Sequence, residues 1–145
     1  MAKIRGTITA KLPGYRRERY EWRREILKNV CEAQRGRAVR YDEDSRFEVV
    51  VLLYLKKGKR HDIHDVDNRL KDILDALQGR CGGPKSAPDE TRLFDNDRQV
   101  SRVVIEKQPI PKSLKDDAGG RIMIRHYVPS RWPLQRTKGA NFRKS

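Results

Sequence analysis

Residues 61–79 read HDIHDVDNRLKDILDALQG and place Asp62, Asp65, Asp67 and Asp72 within eleven positions of a chain whose formal net charge is +14. Carboxylates crowded together repel unless a cation, a helix N-terminus or a basic neighbour compensates. Asp65 and Asp67 stand two apart where a helix should begin, so both side chains can serve one side of a strand-to-helix corner. One of them can be accounted for as an N-cap, a position that favours Asp and a single carboxylate. Lys71 follows Asp67 by four residues, which sets an ammonium one turn above a carboxylate. Taken alone, that is an ordinary helical ion pair worth a few tenths of a kcal/mol. A second acidic pair, Asp95 and Asp97 in LFDNDRQV, lies at the start of a strand and again shares one face.

Carboxylates converging from these two segments would form a hard-cation site with oxygen ligands and open positions for water and phosphate. Mg²⁺ fits best, with Mn²⁺ as a substitute. A metal held by three or four of these carboxylates would activate a bound water against a phosphodiester. The rest of the chain suits a polyanion: Lys and Arg number 34 against 20 Asp and Glu, and the pI is near 10.2.

The elements that must position these groups follow from periodicity. KIRGTITAKL alternates Ile4, Gly6, Ile8, Ala10 and Leu12 with polar residues, a half-buried strand ended by Pro13 and Gly14. From Tyr15 to about Gln34 the period becomes helical: Trp22, Ile26, Val30 and Ala33 share one face, and Arg17, Arg24 and Lys28 line the other. That basic stripe is either a phosphate-contacting surface or an ion-paired, solvated one, given Arg17 to Glu21 and Glu25 to Lys28 spacings. FEVVVLLYL, residues 47–55, predicts a central strand covered on both faces. The turn KKGKR supplies Lys56, Lys57, Lys59 and Arg60 beside the acidic corner, where they would hold a phosphate strand. DNRLKDILDALQG predicts a second helix, with Leu70, Ile73, Leu74 and Leu77 on one face and Gly79 as its stop.

Residues 80–92, rich in Gly and Pro, predict a long surface loop. QVSRVVIEKQ and GRIMIRHYV predict two further strands, joined as a hairpin with an extended tip. The expected fold is therefore an α/β (α+β) single compact domain over residues 1–129, a mixed sheet of about four strands with two helices in the order βαβαββ. Residues 130–145 form a basic C-terminal tail with Arg131, Arg136, Lys138, Arg143 and Lys144 and no acid. No apolar run approaches the length of a membrane span and no signal peptide is evident, so a soluble, cytoplasmic protein without a membrane partner is expected. Cys31 and Cys81 lack CxxC spacing and are expected as two free thiols.

DVDNRLKDILDAL, followed by DNDRQV and a Val-rich strand, resembles the RusA family of Holliday junction resolvases over roughly residues 47–108. That family shows an Asp-x-Asp-Asn corner, a lysine four residues after the second aspartate, and an acidic pair before Gln-Val. The resemblance implies a Mg²⁺-dependent endodeoxyribonuclease that resolves four-way DNA junctions by paired symmetric cleavage in recombination and repair. It implies catalytic, metal-binding Asp65, Asp67 and Asp97, a catalytic Lys71, a motif asparagine at Asn68 that would sit at the DNA, and a twofold homodimer. Where the family commonly has Asp-Asp before Gln-Val, this chain has Asn96 and Asp97, with an additional acid at Asp95. The 80–92 loop is longer than in compact members, which bears on junction fit.

Two other functions fit the residues alone. One is a non-catalytic basic DNA-binding protein, in which Asp65 and Asp67 cap a helix and Asp95 and Asp97 shape a turn. The other is a nuclease using the same carboxylates on other branched DNA. The His64–Asp65 dipeptide suggests a third class, all-helical metal phosphohydrolases, but only His61 and His126 remain and strands dominate.

Overall fold

The β-branched run at 47–55 forms β2 (Phe47–Leu55), which lies inside a four-stranded sheet and supplies its deepest core. The structure, a computed structural model, describes residues 7–16, 18–34, 42–55, 65–83, 85–114 and 118–130. Arg17, Lys56, Lys57, Lys59, Arg60, His61, His64 and the tail from residue 131 lie outside the described residues.

The remaining elements are β1 (Ile8–Pro13), α1 (Arg19–Ala33), α2 (Val66–Leu77), β3 (Val100–Pro109) and β4 (Ala118–His126). This is the mixed α+β fold that the periodicity predicts, one small domain in the order βαβαββ. The sheet runs β1-β4-β2-β3, with β2 and β3 parallel and β4 antiparallel to both β1 and β2. A parallel pair needs a crossover, and α2 provides it between β2 and β3.

The expected β3–β4 hairpin does not form. β4 instead passes beyond β2 and inserts between β1 and β2. Its sequence explains the choice: Ile122 and Ile124 face the core, and Gly120 lets the backbone close on β2. A Cβ on Gly120 would fall 1.8 Å from the Leu52 carbonyl oxygen. β3 carries Arg102, Glu106 and Lys107 and takes the sheet edge, where charges discourage pairing with other chains.

The core gathers Phe47, Val49, Val51 and Leu53 of β2 with Trp22, Ile26 and Val30 of α1 and Ile73, Ala76 and Leu77 of α2. Only this face of β2 is fully covered, which corrects the expectation of burial on both. On the other face Val50 and Leu52 are half-buried in a shallow depression of about 240 Å³. Glu48 is buried there by ion pairs to Arg102 and Arg125. Those arginines hold its carboxyl below the usual range, Arg125 contributing most, against the opposing effect of burial.

Both helices differ from expectation in which residues they bury. α1 starts at Arg19 rather than Tyr15, because the Glu18 side chain accepts from the Tyr20 and Glu21 amides and caps it. Its buried arc includes Arg23 and leaves Ala33 exposed, since α2 packs on the Arg23 side. In α2 the buried arc is Arg69, Asp72, Ile73, Ala76 and Leu77, while Leu70 and Leu74 are only half-buried. Among the described residues no helix is long and apolar enough to cross a membrane.

Candidate active site

The N-terminus of α2 carries the first acidic pair. Asp65 is the N-cap, its Oδ1 accepting from the Asp67 and Asn68 amides at 3.0 and 3.4 Å. Asn68 Nδ2 donates to Asp65 Oδ2 at 3.0 Å, so this asparagine braces the cap. The capping role foreseen for one aspartate therefore falls to Asp65. Asp67 sits in the first turn, exposed, and its carboxylate has no hydrogen-bond or ion-pair partner among the described residues. Lys71 is likewise exposed, and the expected Asp67–Lys71 ion pair is not made. The ion pairs of α2 run elsewhere, through Asp72 and Asp75.

Those pairs fix the helix. Asp72 Oδ1 accepts from Arg23 Nη2 and Nε at 2.8 and 3.0 Å and from Arg19 Nε at 3.2 Å. Arg23 also pairs with Asp75 at 3.0 Å and donates to the Arg80 carbonyl at 3.1 Å. Every polar group of this buried knot is thereby satisfied, as a charge inside a low-dielectric core requires. One turn earlier the Arg69 guanidinium lies 3.4 Å from the centre of the Tyr15 ring, which meets Trp22 edge-on at 5.2 Å. At the other end Gly79, with φ of 78°, closes α2 by bonds from its amide to the Ala76 carbonyl and from the Arg80 amide to the Asp75 carbonyl.

The second acidic pair is built separately. Asp97 opens a single 3₁₀ turn, Asp97–Gln99, capped by Asn96 and leading into β3. The Gln99 side chain is buried beneath it; its Nε2 donates to the Asp42 and Ser45 carbonyls and its Oε1 accepts from the Asp95 amide. Asp95 is ion-paired to Arg92 at 2.6 Å, whereas Asp97 is exposed.

The two pairs lie at opposite ends of α2. Tyr15, against Arg69, follows the C-terminal end of β1, which is level with the end of β2 because Leu12 and Leu53 both pair with Gly120. The α2 C-terminus lies at the start of β2: the Leu77 carbonyl accepts from the Leu93 and Phe94 amides, and Phe94 stacks on Phe47. The Asp97 turn is at that second end, since Val100 pairs with Phe47. The structure thus brings together Asp65, Asp67, Asn68 and Lys71, and leaves Asp97 about one helix length away. The expected meeting of the strand start with the helix start inside one chain does not occur. Among the described residues no three His, Cys, Asp or Glu side chains gather as metal ligands.

Of the predicted phosphate contacts that are described, Lys28 is exposed, while Arg24 donates to the Cys81 carbonyl at 3.0 Å and lies 3.8 Å from Glu18. Cys31 and Cys81 are free thiols, as expected, and burial pushes the Cys81 thiol up to about 11. Sequence reasoning missed Arg23, Arg69, Asp72 and Gln99, the residues that hold both acidic segments. The available signal was charge on the apolar side of each helix, with Arg23 beside Trp22 and Asp72 beside Ile73.

No family model and no curated protein matches the chain.

Proposed function

We propose that this protein is a Mg²⁺-dependent endodeoxyribonuclease of branched DNA, with the four-way junction as its principal substrate and a homodimer as its working form. The observation that carries the reading is the α2 N-terminus. There the exposed Asp67, without a hydrogen-bond or ion-pair partner among the described residues, stands beside Asp65 and one turn below the exposed Lys71, in a chain of net charge +14. The motif resemblance to RusA resolvases supports it with the same residues in the same order.

The donor set fits the metal. Mg²⁺ is commonly held by one or two carboxylates, with waters and substrate phosphate completing its shell. Asp67 and the oxygens of Asp65 would hold it. When bound, the ion supplies an activated water and Lewis-acid polarisation of the phosphate. The chain's own residues do the rest. The Asp65 cap and Asn68 brace fix the backbone on which Asp67 stands, and the Arg69–Tyr15 stack keeps that turn from tilting. Lys71 presents its side-chain nitrogen to the phosphate oxygens as they gain charge. The basic surface gathers the polyanion.

One observation favours the non-catalytic DNA-binding reading: Asp65 is a fully employed cap. The test compares a synthetic four-way junction, a flap and a matched linear duplex, each with Mg²⁺, Mn²⁺ or EDTA. The expected result is metal-dependent nicking of the junction by the wild type. Lys71→Ala should slow it at least about 100-fold with junction binding retained, and Asp67→Asn more. Tight binding without cleavage in either metal would assign the protein to the binding class, and cleavage of flaps alone would move the substrate.

A further inference from the structure

Both helices pack on one face of the sheet, and the other face carries an apolar row between two polar ones. Cross-strand register sets Met123, Val50 and Val104 side by side across β4, β2 and β3. On one side of them lies the ion-paired row Arg125, Glu48 and Arg102, and on the other Arg121, Leu52 and Glu106. Val50 and Met123 are half-buried and Val104 is 44% exposed, so among the described residues the floor of this depression stands open to solvent. Apolar surface left bare and rimmed by polar groups marks a place where something docks.

The chain itself turns toward this face after β4. The Tyr127 amide donates to the Arg46 carbonyl at 2.9 Å, which carries the line of β4 past the start of β2. The Arg102 guanidinium then lies 4.9 Å from the centre of the Tyr127 ring and donates to the Ser130 hydroxyl. Arg102 belongs to β3, beyond β2 from β4, and pairs with Glu48 on the open face. Residues 127–130 therefore bend over the open face rather than away from the sheet. The next residues, outside the described ones, are Arg131, Trp132, Pro133 and Leu134.

We propose that segment 131–134 of the same chain is the occupant of the open face, with the Trp132 indole seated on Val50, Val104 and Met123. The reach is sufficient. Val104 lies two residues beyond Arg102 on the same face of β3, ~7 Å along the strand, and Trp132 lies two residues beyond Ser130, a span of up to ~7 Å. The chemistry matches as well. An indole brings a large apolar body and one N–H that needs an acceptor, and the rim of the depression supplies the Glu106 carboxylate and the Thr9 hydroxyl. Glu106 also faces a tail that holds Arg131, Arg136 and Lys138 and no acid. Seated there, the segment covers the exposed Val104 of the edge strand β3, an apolar invitation to other chains. This seating is independent of the nuclease reading.

Acrylamide quenching of tryptophan fluorescence on the full chain tests it. Subtracting the Trp132→Phe protein removes the contribution of Trp22, which is buried in the core, and leaves the signal of Trp132. The expected result is blue-shifted emission, quenched several-fold more slowly than free N-acetyltryptophanamide and unchanged on dilution. Val104→Lys puts an ammonium into the seat at a position already open to solvent; with the fold checked by circular dichroism, Trp132 should redden and quench at the free rate. Val104→Thr, of the same shape, should move both readings in the same direction by less. Quenching at the free rate in the wild type overturns the proposal without any variant. Shielding that persists unchanged in both Val104 variants puts the indole elsewhere and overturns it. Shielding that vanishes on dilution, with dimers in sedimentation at the higher concentration, gives the face to a second copy and overturns it as well.

Discussion

Replacing Asp72 by alanine tests how α2 is held. The carboxylate is 2% exposed and accepts three hydrogen bonds, two from Arg23 and one from Arg19. Removing one partner of a buried ion pair costs about 3–5 kcal/mol, chiefly because the other charge is left without compensation. Arg23 would keep Asp75 at 3.0 Å and the Arg80 carbonyl at 3.1 Å, so the loss belongs at the lower end, about 3 kcal/mol. With a urea slope of about 2 kcal/mol/M, the unfolding midpoint should fall by about 1.5 M. Asp75→Ala, at a carboxylate 18% exposed, should lower it by about 0.5 M. Apolar replacement of both partners, Asp72→Leu with Arg23→Met, should recover most of the loss, because the penalty lies in the orphaned charge. Equilibrium urea unfolding followed by tryptophan fluorescence reads all three, with Trp22 in the core as a reporter. A midpoint shift below about 0.3 M for Asp72→Ala would refute the buried pair as the principal tie between α1 and α2.

Two further outcomes follow from the electrostatics. The Glu48 carboxyl is held below its ordinary value of 4.5 by Arg125 and Arg102, so its contribution is present above that value and lost as pH falls through its lowered folded value. Glu48→Gln should therefore be less stable than wild type at pH 7 and should lose less on acidification below about pH 4.5, read by thermal unfolding across pH; parallel curves for the two proteins would contradict this. Burial raises the Cys81 thiol to about 11, so at pH 8 a thiol-specific disulfide reagent should modify the half-buried Cys31 first and Cys81 only on unfolding. Equal rates at both cysteines would show that the loop over Cys81 opens freely.

The strands and helices were legible because periodicity survives without tertiary information. The run 47–55 was recovered to the residue, and α2 begins one residue before its predicted span 67–79, with Gly79 closing it as read. Strand order was not legible: a hairpin and a crossover use the same letters, and the glycine that admits β4 beside β2 has meaning only once Leu52 is its neighbour. At the candidate site, spacing along α2 placed Asp67 and Lys71 on one exposed flank, and capping was among the roles foreseen for Asp65. The relation of Asp97 to that corner was illegible, because it depends on α2 running back along the sheet between the two segments. The buried arginines escaped for a similar reason, since a charge in an apolar arc is intelligible only beside the carboxylate of another helix.

The placement of β4 also governs the order in which the molecule can assemble. Among the described strands β1 pairs with β4 alone, setting Ile8 opposite Ile124. During synthesis the first strand and its helix must wait for nearly the whole described chain before their side of the sheet exists, while β2, α2 and β3 can associate earlier. The last strand is thus the keystone of the sheet, and a ribosome pausing before residue 118 would hold a chain with its apolar edge of β2 open to neighbours.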